Sequence, residues 1–216
     1  KKIFTVLTFL SSGLAYSQSA QLTPVGDIGI HSVGVTVPAK FSGIFPAEKT
    51  LNVPTNYTAS IFQAGGLTKP RFMAFSPAGV LHVADQTAGK IFALPDLNKD
   101  GIADTILEVA AGFTGSHDVK FYKDAMYVTE PTRIWKCTDG DGNGIYENKI
   151  ILITNIGGGS SGGHSTRTVV FDSINHKIYV SVGSSCNVCR ETDRAIIEQY
   201  NEDGTGRRVF ASGIRN

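Results

Sequence analysis

The sequence has 216 residues, of which 41% are hydrophobic and 18% are charged. This composition supplies enough apolar material for one sizeable core and excludes an intrinsically disordered chain. Lys and Arg together number 20 against 19 acidic residues, so the formal net charge is +1. No field of one sign would draw such a chain to nucleic acid or to an anionic membrane surface, and we predict neither partner.

The first residues have the three regions of a secretory signal peptide. Lys1 and Lys2 precede an apolar run over 3–10, and small residues follow from Ser11 to Ala15. The apolar run is too short for a hydrocarbon core of ~30 Å, and no other stretch reaches the ~20 apolar residues of a transmembrane helix. We predict a signal peptide over residues 1–19 and a secreted or periplasmic protein without a transmembrane segment; a buried N-terminal strand or helix is the alternative.

Residues 20–64 form a lead-in segment, rich in Thr, Pro, Gly and Ser and without helical apolar spacing. From residue 65 onward, short runs of Val, Ile, Phe and Tyr are separated by Gly, Pro and Asp turns, which is typical of β-strands. The runs recur in the same order three times. The three copies begin with runs 72–75, 118–121 and 168–171, continue with 80–85, 125–130 and 177–183, and then reach 89–94, 133–137 and 195–200.

The spacing of these runs predicts an all-β fold, a β-propeller. The acidic turns that open at Asp96 and Asp139 lie 43 residues apart, and four short strands repeating every ~40–50 residues are typical of propeller blades. About three to four blades fit into residues 65–216, whereas a complete propeller of this kind is six-bladed. We therefore interpret the chain as an N-terminal fragment of a longer gene product.

Two acidic loops place oxygen-bearing side chains at alternating positions with a glycine at the sixth. This pattern can wrap Ca²⁺ at roughly 2.3–2.6 Å, but Asp, Asn and Gly also form turns through Asx hydrogen bonds without any ion. Both interpretations stay open. The candidate ligands are Asp96, Asn98, Asp100 and Asp104 in the first loop and Asp139, Asp141, Asn143 and Glu147 in the second.

Three cysteines, Cys137, Cys186 and Cys189, are too few for a disulfide scaffold. Export would allow Cys186 and Cys189 to close a local disulfide, leaving Cys137 as the odd thiol. The alternatives are a redox motif or a metal site. Because the pair follows a strand and no second CxxC exists, we favour the structural disulfide.

The most glycine-rich stretch runs from Gly157 to Gly163 and leads into His164 and Arg167. Glycines let the backbone approach a ligand closely, and this stretch lies at a predicted blade entrance, where propeller loops line the central face. Histidine suits general-base work near neutral pH. On local sequence alone, a solvated or structural loop histidine is the alternative.

Residues 67–216 resemble the pyrroloquinoline quinone (PQQ)-dependent sugar dehydrogenases, specifically the sorbosone or pyranose dehydrogenase branch related to soluble quinoprotein glucose dehydrogenase. The resemblance is carried by Gly-Gly-His164 with Phe171 seven positions on, the run 178–183, the segment 184–189 and the segment 210–216. In that family, a histidine at the place of His164 is the general base on the sugar hydroxyl while hydride passes to the quinone. The resemblance therefore implies a catalytic role for His164.

The same resemblance implies the cofactor contacts. The arginine of the family's Gly-x-Arg-Asn motif contacts the quinone and is matched by Arg215, with Asn216 as a polar neighbour. His117 lies at the equivalent blade entrance one repeat earlier and is a third candidate for the cofactor site. Further cofactor residues and active-site calcium ligands of the family lie beyond this motif, so residues 1–216 alone are expected to be inactive.

These features together predict an exported quinoprotein dehydrogenase that oxidises a sugar or aldose-type hydroxyl or aldehyde. Its implied cofactors are PQQ and Ca²⁺, and its implied partner is an electron acceptor such as a cytochrome or a quinone. The alternative is a noncatalytic, calcium-stabilised propeller that binds a glycan or protein. A lactonase-like hydrolase is a weaker third interpretation, because no set of channel carboxylates can be assembled for its metal.

Overall fold

A computed structural model of the chain describes residues 29–44 and 49–214. The predicted signal peptide over 1–19, Arg215 and Asn216 lie outside the described residues. The described part divides into two compact units, one formed by residues 29–35 and 49–59 and the other by residues 36–44 and 60–214. Among these residues, no helix has the length and apolar character needed to cross a bilayer.

A small three-stranded sheet lies within the predicted lead-in segment. It has the order β2-β1-β3, with β1 (His31–Thr36) antiparallel to β2 (Thr50–Val53) and β3 (Ala59–Ser60) on the other side. The short 3₁₀ helix η1 spans Ala39–Phe41 and buries Phe41.

The remaining strands form three four-stranded sheets, each built from strands consecutive in the chain, which we call blades 1 to 3. Every recorded pairing within the blades is antiparallel. A second 3₁₀ helix, η2 (Ile156–Gly159), precedes blade 3. Blade 1 contains β4 (Pro70–Phe75), β5 (Leu81–Asp85), β6 (Lys90–Leu94) and β7 (Leu107–Ala111). Blade 2 contains β8 (Val119–Tyr122), β9 (Ala125–Thr129), β10 (Ile134–Thr138) and β11 (Asn148–Ile153). Blade 3 contains β12 (Val169–Asp172), β13 (Lys177–Val182), β14 (Ile196–Asn201) and β15 (Arg208–Ser212). The all-β prediction and the three repeats are confirmed.

The blades pack face to face because successive side chains of a strand point to opposite sides. In β9, Met126 and Val128 join the core shared with blade 1, whereas Ala125 and Tyr127 join the core shared with blade 3. All five residues of β9 are buried. The strand therefore appears in the sequence as an unbroken apolar run, as expected for a strand covered on both faces.

Because neighbouring strands are antiparallel, the connections alternate between two ends of each blade. We call the end where the first strand of each blade begins the entry face; it holds residues 112–118, 154–168 and 183–195. The entry face also holds the β5–β6 and β9–β10 turns. The other end, the opposite face, holds the first turn of each blade and the β6–β7, β10–β11 and β14–β15 connections. This division decides which candidate residues can share a site.

Blades 2 and 3 are joined on the opposite face by a cluster around Glu202. The Tyr122 hydroxyl donates to one carboxylate oxygen of Glu202, and Lys123 Nζ lies 2.7 Å from the other. The Tyr122 ring also stacks on Phe171 of blade 3 at a centroid distance of 4.7 Å. Hydrogen bonds from Lys123 and then Tyr122 lower the pKa of the Glu202 carboxyl to about 2.

This cluster predicts a pH-dependent contribution to stability. Since the folded-state pKa lies below the unfolded value of ~4.3, the carboxylate stabilises the fold above that value, and the contribution is lost as the pH falls towards about 2. We expect Glu202→Gln to have a lower melting temperature than wild type at pH 6 and the same one near pH 2. Glu108→Gln, which disturbs an exposed pair with Lys90, should change little at either pH. Equal differences for Glu202→Gln at both pH values would contradict the assignment.

Candidate functional site

His164 lies on the entry face, at the end of the glycine-rich loop (residues 157–164). Its backbone N–H donates to Ser184 O at 3.0 Å, which places the loop against the segment over residues 183–195. Gly163 has φ +62°, and a Cβ at this position would lie 2.2 Å from the carbonyl oxygen of Ser185. Only glycine fits such a close approach in this conformation. The imidazole is half-buried, and no described residue hydrogen-bonds its nitrogens, so it can act on a ligand.

Arg167 contacts the backbone carbonyl of His164. Its side chain is fully buried, and Nη1 donates to His164 O at 3.0 Å and to Thr166 O at 2.9 Å. Burial first, and then the charge of Arg194, lower the pKa of Arg167 to about 10, so the side chain remains a cation at neutral pH. Its Nε is buried without a hydrogen-bond partner among the described residues. The sequence singled out Arg167 only as a neighbour of the histidine, and the structure makes it part of the support of the site.

His117 is buried on the same face, at the entrance to blade 2. Its Nδ1 accepts a hydrogen bond from Arg71 Nε at 3.4 Å, and the Phe72 ring packs on it at a centroid distance of 4.9 Å. Burial, followed by the charges of Arg71 and Arg167, lowers the pKa of His117 to about 4. His117 is therefore neutral near pH 7 and serves as an acceptor rather than as a cation.

Arg71 is a site residue that sequence reasoning missed. It lies in β4 of blade 1, 46 residues before its partner His117, and no local motif distinguishes it from a surface arginine. Its guanidinium is exposed while one nitrogen is bonded to the histidine. Its other N–H groups have no recorded hydrogen-bond partner in the part of the chain that the structure describes, so they can face a ligand on the entry face.

Asp118 fixes the spacing between blades 2 and 3 beside these histidines. Its side chain is fully buried, with Oδ2 accepting from Val169 N at 3.1 Å and Oδ1 lying 2.9 Å from Lys120 Nζ. Its backbone N–H donates to Thr129 Oγ1, and that hydroxyl donates to Arg167 O at 2.8 Å. Burial raises the pKa of the Asp118 carboxyl and outweighs the opposing effect of Lys120. The network sets the position of Arg167 relative to blade 2.

The acidic loops lie on the opposite face, away from His164 along the blades. In the first loop, the Asp96 carboxylate accepts backbone N–H groups of Asp100 and Gly101, and Asp104 accepts that of Leu97 at 2.7 Å. The other members of this set, Asn98 and Asp100, are bonded to each other at 2.9 Å. These are the Asx-type turns that the sequence allowed without any ion.

The second loop is the more compact of the two. Asp139 accepts N–H groups of Gly142, Asn143 and Gly144, and these donors lower the pKa of its carboxyl, Gly144 most strongly. Side-chain oxygens of Asp139, Asp141 and Glu147 lie within 4.8 Å of one another. Such an oxygen cluster suits a hard divalent cation. Because the loop is on the opposite face, an ion there would support the blades rather than touch a substrate beside His164.

The cysteines divide as the spacing suggested. Cys186 and Cys189 are bonded in a disulfide with their Cα atoms 5.5 Å apart, within the segment over 183–195. Cys137 is a buried thiol in β10, and burial raises its pKa to about 12. A thiol in that state is not a nucleophile near neutral pH. The candidates for chemistry among the described residues of the entry face are therefore histidine and arginine side chains.

The donors of the entry face fit PQQ, the cofactor implied by the sequence, which is a planar quinone carrying three carboxylates. Arg71 offers exposed guanidinium N–H groups, and the buried Nε of Arg167 is a donor without a partner in the described part. Guanidinium groups bind carboxylates strongly. Arg71 is the described residue best placed to hold such a carboxylate, and the predicted contacts at Arg215 and Asn216 lie outside the described residues.

The sequence profile of one family, described as TrAA12-like, matches residues 51–209. The chain belongs to the TrAA12-like family. This family match covers blades 1 and 2, blade 3 as far as the start of β15, and the loops that carry His117 and His164. No protein with a curated description matches the sequence.

Several solved structures are similar in fold to this chain. The holo PQQ domain of a pyranose dehydrogenase from Coprinopsis cinerea is 22% identical with a TM-score of 0.63, over 76% of this chain and 43% of that one. An iodide structure of a Carbohydrate-Active Enzymes Family AA12 protein from Trichoderma reesei is 20% identical with a TM-score of 0.57, over 66% and 38%. A calcium structure of an AA12 protein from the same organism is 21% identical with a TM-score of 0.53, and the match covers 63% of this chain and 36% of that one. The chain thus spans less than half the length of these structures, and their likeness supports the propeller fold.

Proposed function

We propose that this chain is part of an exported sugar oxidoreductase in which PQQ binds on the entry face beside His164. The observation that carries the proposal is His164 in a chain of the TrAA12-like family: its backbone is held by Ser184 O and Arg167, and its imidazole has no hydrogen-bond partner among the described residues. Structures with this fold include a pyranose dehydrogenase PQQ domain. The substrate class that we propose is a pyranose or other aldose, and we extend the proposal to an electron acceptor such as a cytochrome or a quinone.

The described residues would divide the work between proton transfer and binding. His164 takes the proton from the sugar hydroxyl that is being oxidised, because its imidazole nitrogens have no other described hydrogen-bond partner. When bound, PQQ supplies the acceptor for the hydride that leaves the same carbon. Arg71 binds an anionic group of the cofactor, and neutral His117 orients Arg71 by accepting from its Nε. Arg215 and Asn216 remain proposed cofactor contacts.

The test uses the full-length gene product, prepared without cofactor. Dye reduction is followed with a panel of aldoses before and after addition of PQQ and Ca²⁺, and PQQ binding is measured separately by absorbance or fluorescence. We expect turnover that depends on both an aldose and PQQ. A protein that neither binds PQQ nor reduces the dye would contradict the proposal.

A noncatalytic, calcium-stabilised propeller that binds a glycan or protein is the second candidate. The observation in its favour is the compact trio of Asp139, Asp141 and Glu147 on the opposite face. This trio would serve equally in an enzyme, since structural Ca²⁺ and catalysis do not exclude each other. A full-length protein that binds Ca²⁺ but does not bind PQQ would favour this candidate.

Calcium removal should lower the melting temperature if the second acidic loop holds the ion. At a Ca²⁺ concentration of ~100 times the dissociation constant, the stabilisation is ~2.7 kcal/mol, which corresponds to a rise of about 5–10 °C over the chelated protein. Asp139→Asn should abolish the difference between Ca²⁺ and EDTA. Asp172→Asn is the matched control, because Asp172 makes similar Asx contacts to Ile174 and Asn175 outside the trio. No Ca²⁺-dependent shift in the wild type would leave the loop as an ion-free turn.

A further inference from the structure

Arg194 lies beneath the glycine-rich loop and contacts both segments that surround His164. Its side chain is buried, with 4% of the residue exposed. The guanidinium donates to carbonyl oxygens of the disulfide loop (residues 183–195) and of the glycine-rich loop. The acceptors are Gly183 O at 2.7 Å, Ser184 O at 3.3 Å, Ser160 O at 3.4 Å, Gly162 O at 2.7 Å and His164 O at 3.1 Å. One side chain therefore joins the two loops.

Arg167 reaches the same carbonyls from the other side. It donates to His164 O at 3.0 Å and to Ser160 O at 3.3 Å, so both oxygens accept from two guanidinium groups. The backbone N–H of His164 is also fixed, by its bond to Ser184 O at 3.0 Å. Both polar groups of the His164 backbone are thus held, while its imidazole stays available.

Gly157, the first glycine of the loop, lies against the same two arginines. A Cβ on Gly157 would lie 3.2 Å from Arg167 Nη2 and 3.5 Å from Arg194 Cδ, and Gly157 has φ +60°. The loop backbone therefore rests directly on the two guanidinium groups. A Cβ at position 157 would also lie 2.8 Å from Val182 Cγ1, so a larger residue there would have to move the backbone away from both arginines.

Two buried cations side by side are costly. Burial first, and then the charge of Arg194, lowers the pKa of Arg167. Glu198 is the buried anion that favours the charged form of Arg167, and the rest of the compensation comes from the fixed carbonyl dipoles. A fold that needed only packing could fill this space with apolar side chains. The arrangement is suited instead to holding one backbone geometry rigidly.

We propose that Arg194 and Arg167 are positioning residues that fix the backbone of His164 against the disulfide loop. This inference rests on the proposed role of His164 as the base. The disulfide loop is itself stiffened where it is gripped, since Ser184 Oγ donates to Cys186 O at 2.7 Å beside the disulfide. His164 is thereby held against a loop that is closed by the hydrogen bond between Arg194 and Gly183, which are 11 positions apart in the sequence.

The experiment compares Arg194→Lys with wild type in the full-length protein. Lysine keeps the charge but cannot reach all five carbonyls with one ammonium group. We expect hydrogen exchange at the His164 amide to rise about ten-fold. With PQQ and an aldose, kcat should fall about 10- to 100-fold with KM changed by less than about two-fold, because the substrate contacts remain while the base is misplaced.

Tyr122→Phe is the matched control. It removes the partly buried hydrogen bond from the Tyr122 hydroxyl to Glu202 on the opposite face and touches neither loop. Exchange at His164 that is unchanged in Arg194→Lys, or that rises equally in Tyr122→Phe, would overturn the inference. If Arg194→Lys does not fold, Arg167→Lys tests the same carbonyls from the other side. In the wild type alone, a His164 amide that exchanges as fast as the exposed Gly162 amide would also overturn it. If wild type shows no PQQ-dependent turnover, the proposed function fails, while hydrogen exchange still decides whether the two arginines hold the loop.

Discussion

Replacing His164 with alanine should lower kcat for PQQ-dependent sugar oxidation by about 10²- to 10⁴-fold, the usual contribution of a general base. The substitution removes the group proposed to accept the hydroxyl proton, but it leaves the backbone contacts of residue 164 with Ser184, Arg167 and Arg194 in place. PQQ affinity should therefore change little. The measurement is steady-state dye reduction with the best aldose of the panel, together with a separate PQQ titration.

His176→Ala is the control for this experiment. His176 lies on the opposite face, where its Nδ1 is 3.2 Å from Glu202 Oε1 and most of its side chain is exposed. It should leave kcat within about two-fold of wild type. His117→Ala should instead weaken PQQ binding, because it frees Arg71 from its orienting acceptor. A His164→Ala protein that retains kcat would place the base elsewhere.

Glu198→Ala should destabilise the fold strongly, by about 3–5 kcal/mol. The Glu198 side chain is fully buried, and its carboxylate accepts from Tyr200 Oη at 2.6 Å, from Gly157 N at 3.2 Å and from Arg207 Nη2 at 2.7 Å. Interaction with this carboxylate, after burial, raises the pKa of Tyr200. Removing it leaves buried donors unpaired and takes the nearest anion away from Arg167.

Urea unfolding followed by fluorescence would measure this loss. Glu108→Ala is the comparison, because Glu108 pairs with Lys90 at 2.7 Å on the surface, where such pairs contribute about 0–1 kcal/mol. Glu198→Gln, which keeps the shape and one acceptor oxygen, should fall between the two. If Glu198→Ala and Glu108→Ala cost the same, then Glu198 would have no special role in holding the glycine-rich loop.

The strands and their order could be predicted from the sequence because each blade repeats a local pattern. Runs such as 125–130 and 177–183 mark strands by their apolar and β-branched residues, and the recorded strands β9 and β13 coincide with them closely. The glycine-rich loop was equally visible, since repeated glycine signals close backbone approach. The pattern could not show which residues the loop backbone approaches. In the structure these residues are Ser185, Arg167 and Arg194.

The residues that sequence reasoning missed are those whose partners lie far away in the chain. Arg71 lies 46 residues from its partner His117, which the sequence did single out, and Asp118 lies 51 residues from its partner Val169. Each belongs to a different blade from its partner, so the contact exists only after blades pack. Arg194 follows the cysteine pair in an irregular segment, where no periodicity constrains which side of the chain it occupies. Arginine side chains are mostly exposed in proteins, and the five carbonyl partners of Arg194 account for its burial.

The burial of β9 on both faces has a consequence for how much sequence change the protein tolerates. In the described part of the chain, no other strand has every residue buried. An enlarged or shortened side chain at Met126 or Val128 would disturb the packing with blade 1, and one at Ala125 or Tyr127 would disturb the packing with blade 3. A strand such as β15, with mostly exposed side chains, can vary far more freely. In a mutational scan, β9 would stand out as the least permissive strand, although it contributes no side chain to the proposed chemistry.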